Sequence, residues 1–174
     1  MKRIHPFKRI LQHTLMPHWR VKQAFSHDAL RNIEHAITAS ELNHSGQIRF
    51  AVEANLSLQQ LVAKLKPQHR AIQVFSDLRV WDTEQNNGVL IYLLLADRDV
   101  EIVADRGIHH HVGVDNWENI CVQMESRFKQ GEFEAGVIEG IQSISQHLEQ
   151  YSSKPFEFNN KANRNELSDK PVML

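Results

Sequence analysis

The strongest hydrophobic pattern in the chain is the nearly unbroken apolar run from Val89 to Ala96. It is too short for a buried helix, and Asn-Gly precedes it while Asp-Arg-Asp follows it. A run of β-forming residues bounded in this way predicts a strand that is buried on both faces. We therefore expect Val89 to Ala96 to be the central strand of a sheet.

A second strand is predicted immediately after this run, because Val100, Ile102 and Ala104 alternate with Glu101 and Val103. The turn between the two runs is no longer than Asp97-Arg98-Asp99, so the strands should form an antiparallel hairpin. A hairpin returns the chain to its starting level. Asp105 should therefore lie beside Asn87.

The remaining apolar patterns predict one further strand and several helices. Gln47 to Asn55 alternates and predicts a strand that is less buried on one face. Helical spacing predicts helices from Ser26 to about Asn43, from Ser57 to Lys66, from Pro67 to about Leu78, from Asp115 to about Phe128, and from Phe133 to Tyr151. The order predicts an α/β fold, an αβα layered sandwich with a small mixed sheet, in which the segment from 55 to 88 crosses over between parallel strands.

This topology gives the sheet two ends that carry different polar residues. The end that contains the hairpin turn, here called the turn pole, should hold Glu53, Asn55 and Asp97 to Asp99. The opposite end, here called the entry pole, should hold these polar residues: His44, Asp82, Thr83, Glu84, Asn86, Asn87, Asp105, Arg106 and His109 to His111.

Charge divides the chain into three parts. Residues 1–25 contain six Lys or Arg and no acid, residues 26–151 contain ten bases and eighteen acids, and residues 152–174 are polar and interrupted by proline. We predict a basic amphipathic leader, a single domain that folds without the other two parts, and a mobile polar tail. An acidic domain argues against a nucleic-acid surface and favours cation binding.

The leader has apolar residues at helical spacing. Ile4, Phe7, Leu11, Leu15 and Trp19 recur every three or four residues, with basic and polar residues between them. Two interpretations remain open at this point: the leader lies on an anionic membrane, or it packs on its own acidic domain.

Cysteine content and hydropathy indicate the compartment. The single Cys121 excludes an internal disulfide, and no apolar run has the length of a membrane span or the features of a signal peptide. We expect a cytoplasmic protein, or one that is peripheral to the inner face of the membrane.

Several motifs together resemble one known family. They are N-G-V-L-I-Y-L-L-L-A-D-R-D-V-E-I-V-A-D-R-G, the Asp-led helix from Asp115, and F-K-Q-G-E-F-E-A-G-V-I-E-G-I. Over about residues 26–151 the chain is similar to the TPM domain, named for a thylakoid lumen phosphatase, a photosystem II repair protein and a receptor-modulating protein. The resemblance implies a Rossmann-like αβα sandwich, divalent cations such as calcium at acidic loops, and either acid phosphatase activity or an accessory role. The family's Gly-Tyr-Gly loop is replaced here by Asp105-Arg106-Gly107.

The candidate site residues are oxygen donors and histidines of the entry pole. Asp82, Glu84, Asn87, Asp105 and Asp115 are hard oxygen ligands suited to calcium or magnesium. The alternative is structural: turns at Asp82 and Asn87, a helix cap at Asp115, and an ion pair at Asp105. Arg106 is a possible anion contact. His109 and His111 would share a side of an extended segment and form a second metal site, or would simply be solvated in a surface loop.

Two functions follow from these residues. The first is a non-enzymatic, cation-responsive accessory module that docks on a membrane or a membrane-protein partner through residues 1–25. The alternative is a divalent-metal-assisted phosphatase acting on phosphomonoesters. The first is favoured because no nucleophile or general base stands out.

Overall fold

The computed structural model describes residues 6–151 and 165–174, and its elements follow the predicted order with three additions. The helices are α1 (Pro6–Thr14), α2 (Trp19–Ala24), α3 (His27–Glu41), α4 (Leu58–Val62), α5 (Pro67–Asp77), α6 (Arg106–Val112), α7 (Val114–Lys129) and α8 (Phe133–Tyr151). The strands are β1 (Gln47–Glu53), β2 (Gly88–Leu94), β3 (Asp99–Ala104) and β4 (Val172–Met173). Helices α2 and α6 and strand β4 were not predicted.

The strands form one mixed sheet in the order β3-β2-β1-β4. β1 and β2 are parallel, and Gln47 pairs with Gly88. β2 and β3 form the predicted hairpin, in which Val89 pairs with Ala104 and Leu94 with Asp99. The α/β fold with a mixed sheet and a central hairpin is therefore confirmed, and the register separates the turn pole from the entry pole.

The apolar residues of β2 alternate between two cores, one on each face of the sheet. Val89, Ile91 and Leu93 join the larger core, which includes residues of α3, α7 and α8. Leu90, Tyr92 and Leu94 join the smaller core, which includes residues of α4 and α5. All seven residues of β2 are buried, as the sequence predicts for the central strand. β1 is also buried on both faces apart from Arg49, so the prediction of a less buried face is wrong.

Local sequence signals explain several helix starts. The Ser26 hydroxyl accepts a hydrogen bond from the Ala29 backbone N–H at 3.0 Å, which caps α3. Ser57 and Gln60 form the predicted capping box of α4. α7 begins at Val114 after Gly113, so Asp115 lies in its first turn and is not the cap.

Two glycines of α8 allow a close helix contact. A Cβ added at Gly136 would lie 2.7 Å from the Phe128 ring, and one at Gly140 would lie 2.5 Å from the Met124 sulfur. These glycines bring α8 close to α7, because both partners are α7 side chains.

The histidine triplet lies on a helix. The backbone of Asp105 is extended and its carboxylate accepts a hydrogen bond from the Arg106 N–H at 2.6 Å, so Asp105 is the N-cap of α6. In a helix, residues two apart point to nearly opposite sides. The expected surface loop therefore does not form, and His109 and His111 do not share a side.

The folded body extends beyond residues 26–151. Val21 and Phe25 of the predicted leader are buried in the larger core, and Phe25 packs its ring 5.5 Å from that of Phe50. Of the predicted mobile tail, residues 165–174 are ordered against the sheet and supply β4, where the Leu174 N–H donates to the Val52 carbonyl at 3.0 Å. The remainder of that tail, 152–164, lies outside the described residues.

Candidate functional site

The entry pole brings together two of the predicted ligands. The Asp105 N–H donates to the Gly88 carbonyl at 2.9 Å, which places Asp105 one residue from Asn87 across the hairpin. A Cβ at Gly88 would collide with the Val80 carbonyl oxygen, so glycine is required where the Trp81 to Asn87 loop closes onto the strand. The hairpin thus places the backbone of Asp105 next to that of Asn87, as the sequence predicted.

Asn87 is held by three of its four polar groups. Its side-chain amide donates to the Ser45 carbonyl at 2.5 Å, its N–H donates to the Thr83 hydroxyl at 3.0 Å, and its carbonyl accepts from the Gln47 N–H at 3.1 Å. Its side-chain oxygen is buried and, among the described residues, has no hydrogen-bond partner. A buried amide oxygen without a donor is costly unless another ligand satisfies it.

The other predicted ligands lie apart on the surface. Asp82, Glu84 and Asp115 are exposed, and the Glu84 N–H donates to the Glu166 carboxylate at 2.7 Å. Arg106 is exposed, His109 is half-buried, and His111 is exposed. Within residues 6–151 and 165–174, no three His, Cys, Asp or Glu side chains are grouped closely enough to hold a metal ion.

His44 is a second buried polar group at this pole. It is 2 % exposed, and its Nδ1 lies 3.2 Å from the Gly46 carbonyl. Burial lowers the pKa of His44 to about 4, because the imidazolium form would lose its hydration. The residue is therefore neutral at physiological pH.

The turn pole contains a buried network that the sequence did not predict. The Glu53 carboxylate at the end of β1 accepts from the Arg70 Nε at 2.9 Å and from the Tyr92 hydroxyl at 2.6 Å. Arg70 comes from the first turn of α5. Burial and the nearby Glu53 carboxylate raise the pKa of Tyr92, which keeps it a hydrogen-bond donor. Glu53 is only 8 % exposed. Its buried charge is compensated because Arg70 pairs with it.

The leader docks on the same pole through Asp97. The Asp97 carboxylate accepts from the Arg9 Nε at 3.0 Å and lies 3.0 Å from the Nε2 of the buried His13. The His13 Nδ1 accepts from the Leu56 N–H at 2.9 Å, so the proton is on Nε2 and is donated to Asp97. Burial opposes ionisation of Asp97, but the hydrogen bonds from His13 and Arg9 outweigh it and lower its pKa.

The docked face of α1 is mainly its polar one, and Ile10 also packs against the smaller core. Gln12 donates to the Ala96 carbonyl and Arg9 Nη1 donates to the Leu65 carbonyl at 3.1 Å. Of the five residues of the predicted apolar stripe, Ile4 lies outside the described residues and the other four, here called the apolar stripe, face solvent. The exposed fractions of its members are 72 % for Phe7, 49 % for Leu11, 70 % for Leu15 and 58 % for Trp19. This orientation leaves an amphipathic helix with its apolar side free.

A helix that crosses a bilayer is absent from the part of the chain that the structure describes, because none is both long and apolar enough.

Comparison with known proteins assigns the family. The model of the TPM domain matches residues 20–147. The solved structure of the BA42 protein from the psychrophilic bacterium Bizionia argentinensis is similar, with a TM-score of 0.72 and 30 % sequence identity over 86 % of this chain and 94 % of that one. The chain belongs to the TPM domain family, as the resemblance implied.

A second solved structure shows the same fold at lower identity. It is the N-terminal domain of a protein from P. gingivalis, with a TM-score of 0.60 and 15 % identity over 92 % of this chain and 100 % of that one. No curated protein matches the sequence.

Sequence reasoning missed the turn-pole network for a physical reason. Tyr92 was the signal for this network in the sequence. It carries a hydroxyl inside an otherwise apolar strand, and a buried hydroxyl needs a hydrogen-bond partner. Its partner Glu53 is one strand away and Arg70 lies on the crossover. Only the register of β1 against β2 identifies them.

Proposed function

We propose that the protein is a non-enzymatic accessory module of the TPM type that docks on an anionic membrane surface. The observation that carries this proposal is the orientation of α1, whose polar face is bound to the domain and whose apolar stripe is exposed. Four large apolar side chains exposed in succession along one segment are characteristic of an interaction site. The location that we propose is cytoplasmic and peripheral to the inner face of the membrane.

The charge around the stripe supports an anionic surface. Lys8, Arg20 and Lys22 are exposed beside it, and residues 1–25 contain no acidic residue. A basic residue close to an anionic leaflet contributes about 1 kcal/mol of binding, and each buried large apolar side chain contributes about 1.5–3 kcal/mol. A short stripe and a few bases together support reversible binding.

Vesicle binding tests the proposal. The full-length protein should cosediment with vesicles that contain phosphatidylglycerol, less so as salt increases, and weakly with pure phosphatidylcholine. Phe7→Ser with Leu11→Ser should weaken the binding by about tenfold or more, because two apolar side chains no longer enter the interface. The charge-reversal pair Lys8→Glu and Lys22→Glu should weaken it as well, because both lysines are exposed beside the stripe.

The matched control removes two exposed apolar residues elsewhere. Ile72 on α5 and Val122 on α7 are 49 % and 62 % exposed. Ile72→Ser with Val122→Ser should leave vesicle binding unchanged. Equal binding to both kinds of vesicle would contradict the proposal, and absence of binding to either would favour a membrane-protein partner.

We further propose that a divalent cation, calcium or magnesium, binds at the entry pole. The buried Asn87 oxygen without a donor and its position beside Asp105 support this proposal. Calcium should shift the amide signals of residues 82–87 and 105–115 together and raise the melting temperature. Asp105→Asn should reduce that rise while keeping α6 capped, because asparagine is an equally good N-cap. If the largest shifts fall at residues 53–55 and 97–99, the cation binds at the turn pole.

A further inference from the structure

A groove at the turn pole separates the leader from the body of the domain. It has a volume of about 380 Å³, which is within the range of small-molecule sites. Its less exposed lining residues are apolar and are here called the floor: Met16, Ala24, Leu95 and Phe133. Its exposed lining residues, here called the rim, include Arg20, Gln23 and Arg98.

The two rim arginines have no carboxylate partner among the described residues. The Arg20 guanidinium donates to the Gln23 side chain at 3.1 Å and lies 5.1 Å from the centre of the Trp19 ring. Arg98 is exposed in the hairpin turn, with no side-chain hydrogen bond or ion pair to another described residue. Guanidinium groups without an acidic partner are suited to bind phosphate.

Neighbouring carboxylates do not neutralise this rim. Asp97 is bound by Arg9 and His13 of α1. Glu132, which follows the groove residue Gly131, pairs with Arg127 at 2.8 Å. The groove therefore combines an apolar floor with a positive rim.

We propose that this groove binds one anionic membrane phospholipid, with acyl carbons against the apolar floor and the phosphate at Arg20 and Arg98. The inference rests on the proposed membrane docking, because Leu15 belongs both to the exposed apolar stripe and to the wall of the groove. A lipid bound in the groove would contact both Leu15 of the stripe and the arginines of the rim. The groove thus adds selectivity for anionic lipid to a surface that the stripe anchors.

A lipid that dissolves as single molecules tests the groove apart from vesicle docking. Dihexanoylphosphatidylglycerol below its micelle concentration should shift the amide signals of Ala24, Leu95 and Phe133 in the full-length protein, saturably. Dihexanoylphosphatidylcholine should bind more weakly by about tenfold, because its headgroup has no net charge for the two arginines. Inorganic phosphate alone should not saturate the site.

Arg20→Gln with Arg98→Gln should weaken binding of the anionic lipid by about tenfold or more and abolish the preference over the neutral one. Arg79→Gln is the matched control, because Arg79 is exposed, has the same left-handed backbone (φ 51°) as Arg98 and precedes the entry-pole loop. It should bind lipid as the unaltered protein does.

Three outcomes would overturn the inference. They are equal affinity in the double variant and the unaltered protein, saturation by inorganic phosphate alone, and absence of single-molecule binding while vesicle binding persists. In the last case the membrane docking stands and the groove is not its lipid site. Conversely, loss of vesicle binding with the single-molecule site intact would overturn the docking proposal and retain an anionic-amphiphile site.

Discussion

Asp97 and Asp99 are two residues apart and have opposite environments. Asp97 is bound by Arg9 and His13, which lower its pKa. Asp99 has a buried oxygen without a hydrogen-bond partner among the described residues, and burial together with Glu101 and Glu125 raises its pKa to about 7. Burial and the neighbouring acids Glu125 and Glu118 likewise raise the pKa of Glu101 to about 6.

Asp99→Asn should therefore stabilise the protein at alkaline pH. The pKa of Asp99 is 3.8 in the unfolded state and about 7 in the folded state. Between these two pH values the folded protein keeps a proton on Asp99 that the unfolded protein has lost. The contribution of protonated Asp99 to the free energy of unfolding is complete below pH 3.8 and is lost as pH rises through 7. We expect the free energy of unfolding of the variant to exceed that of the unaltered protein by about 1 kcal/mol at pH 8, and by less at pH 5.

Urea unfolding at the two pH values measures this difference. Asp97→Asn is the control, because it should lower the free energy of unfolding where Asp99→Asn raises it. Since Asp97 has a lowered pKa, that variant should lose about 1–2 kcal/mol near neutral pH. A difference for Asp99→Asn that is the same at both pH values would contradict the electrostatic explanation.

Single residues were predictable where their partners are close in sequence. The caps at Ser26 and Ser57 each bond a backbone group three residues away, so local pattern identifies them. The Asp97 contacts join residues separated by 84 and 88 positions. Nothing local in the sequence selects Asp97 over Asp99 as the partner of the leader.

The elements that the sequence missed are short ones whose stability comes from their surroundings. α6 has seven residues, three of them histidines, and forms because Asp105 caps it and Ile108 and Val112 enter the core. β4 pairs only two residues with β1. Periodicity cannot identify such elements, whereas it does identify β2, whose seven residues are all buried.

β4 should contribute measurably to stability through one face only. Val172 packs against the smaller core, whereas Met173 is 48 % exposed. Val172→Asn should lower the free energy of unfolding by about 1–2 kcal/mol, because it places an amide against an apolar surface. Met173→Asn, which keeps the same backbone pairing, should change it by less than about 0.5 kcal/mol.

Urea unfolding curves of the two variants check this prediction. Equal effects at positions 172 and 173 would show that the C-terminal segment is held by its backbone pairing and its polar contacts. Those contacts include the Gln47 side-chain oxygen, which accepts from the Glu166 and Leu167 N–H groups at 2.7 and 3.0 Å.

At the scale of the whole molecule, the leader has two parts that attach by different forces. α1 binds mainly through charged and polar groups, with Ile10 packed against the smaller core, whereas α2 and the residue after it bury Val21 and Phe25 in the larger core. The sequence left open whether the leader binds a membrane or its own domain. The structure shows α1 on its domain with an apolar face still free, a combination that the stripe alone could not predict because it does not say which face docks.

Two truncations should separate these parts. A fragment of residues 19–174 lacks the Arg9, Gln12 and His13 contacts and the partly buried Ile10 and Met16. Its free energy of unfolding should be lowered by about 2–4 kcal/mol, because it loses charge-assisted hydrogen bonds and the burial of these two apolar side chains. A fragment of residues 26–174 also lacks Phe25, which is 1 % exposed and contacts the rings of Phe50 and Phe133. Loss of this buried phenylalanine should lower the free energy of unfolding of the shorter fragment by about a further 3–5 kcal/mol.

Urea unfolding of the two fragments against the full chain measures these costs. Phe25→Ala in the full chain is the control, and it should reproduce most of the difference between the fragments because it opens the same cavity without removing α1. If the two fragments are equally stable, the boundary of the folding unit lies at residue 26, as the charge pattern predicted. If the shorter one no longer unfolds cooperatively, the unit begins within α2, near the start of the TPM match at residue 20.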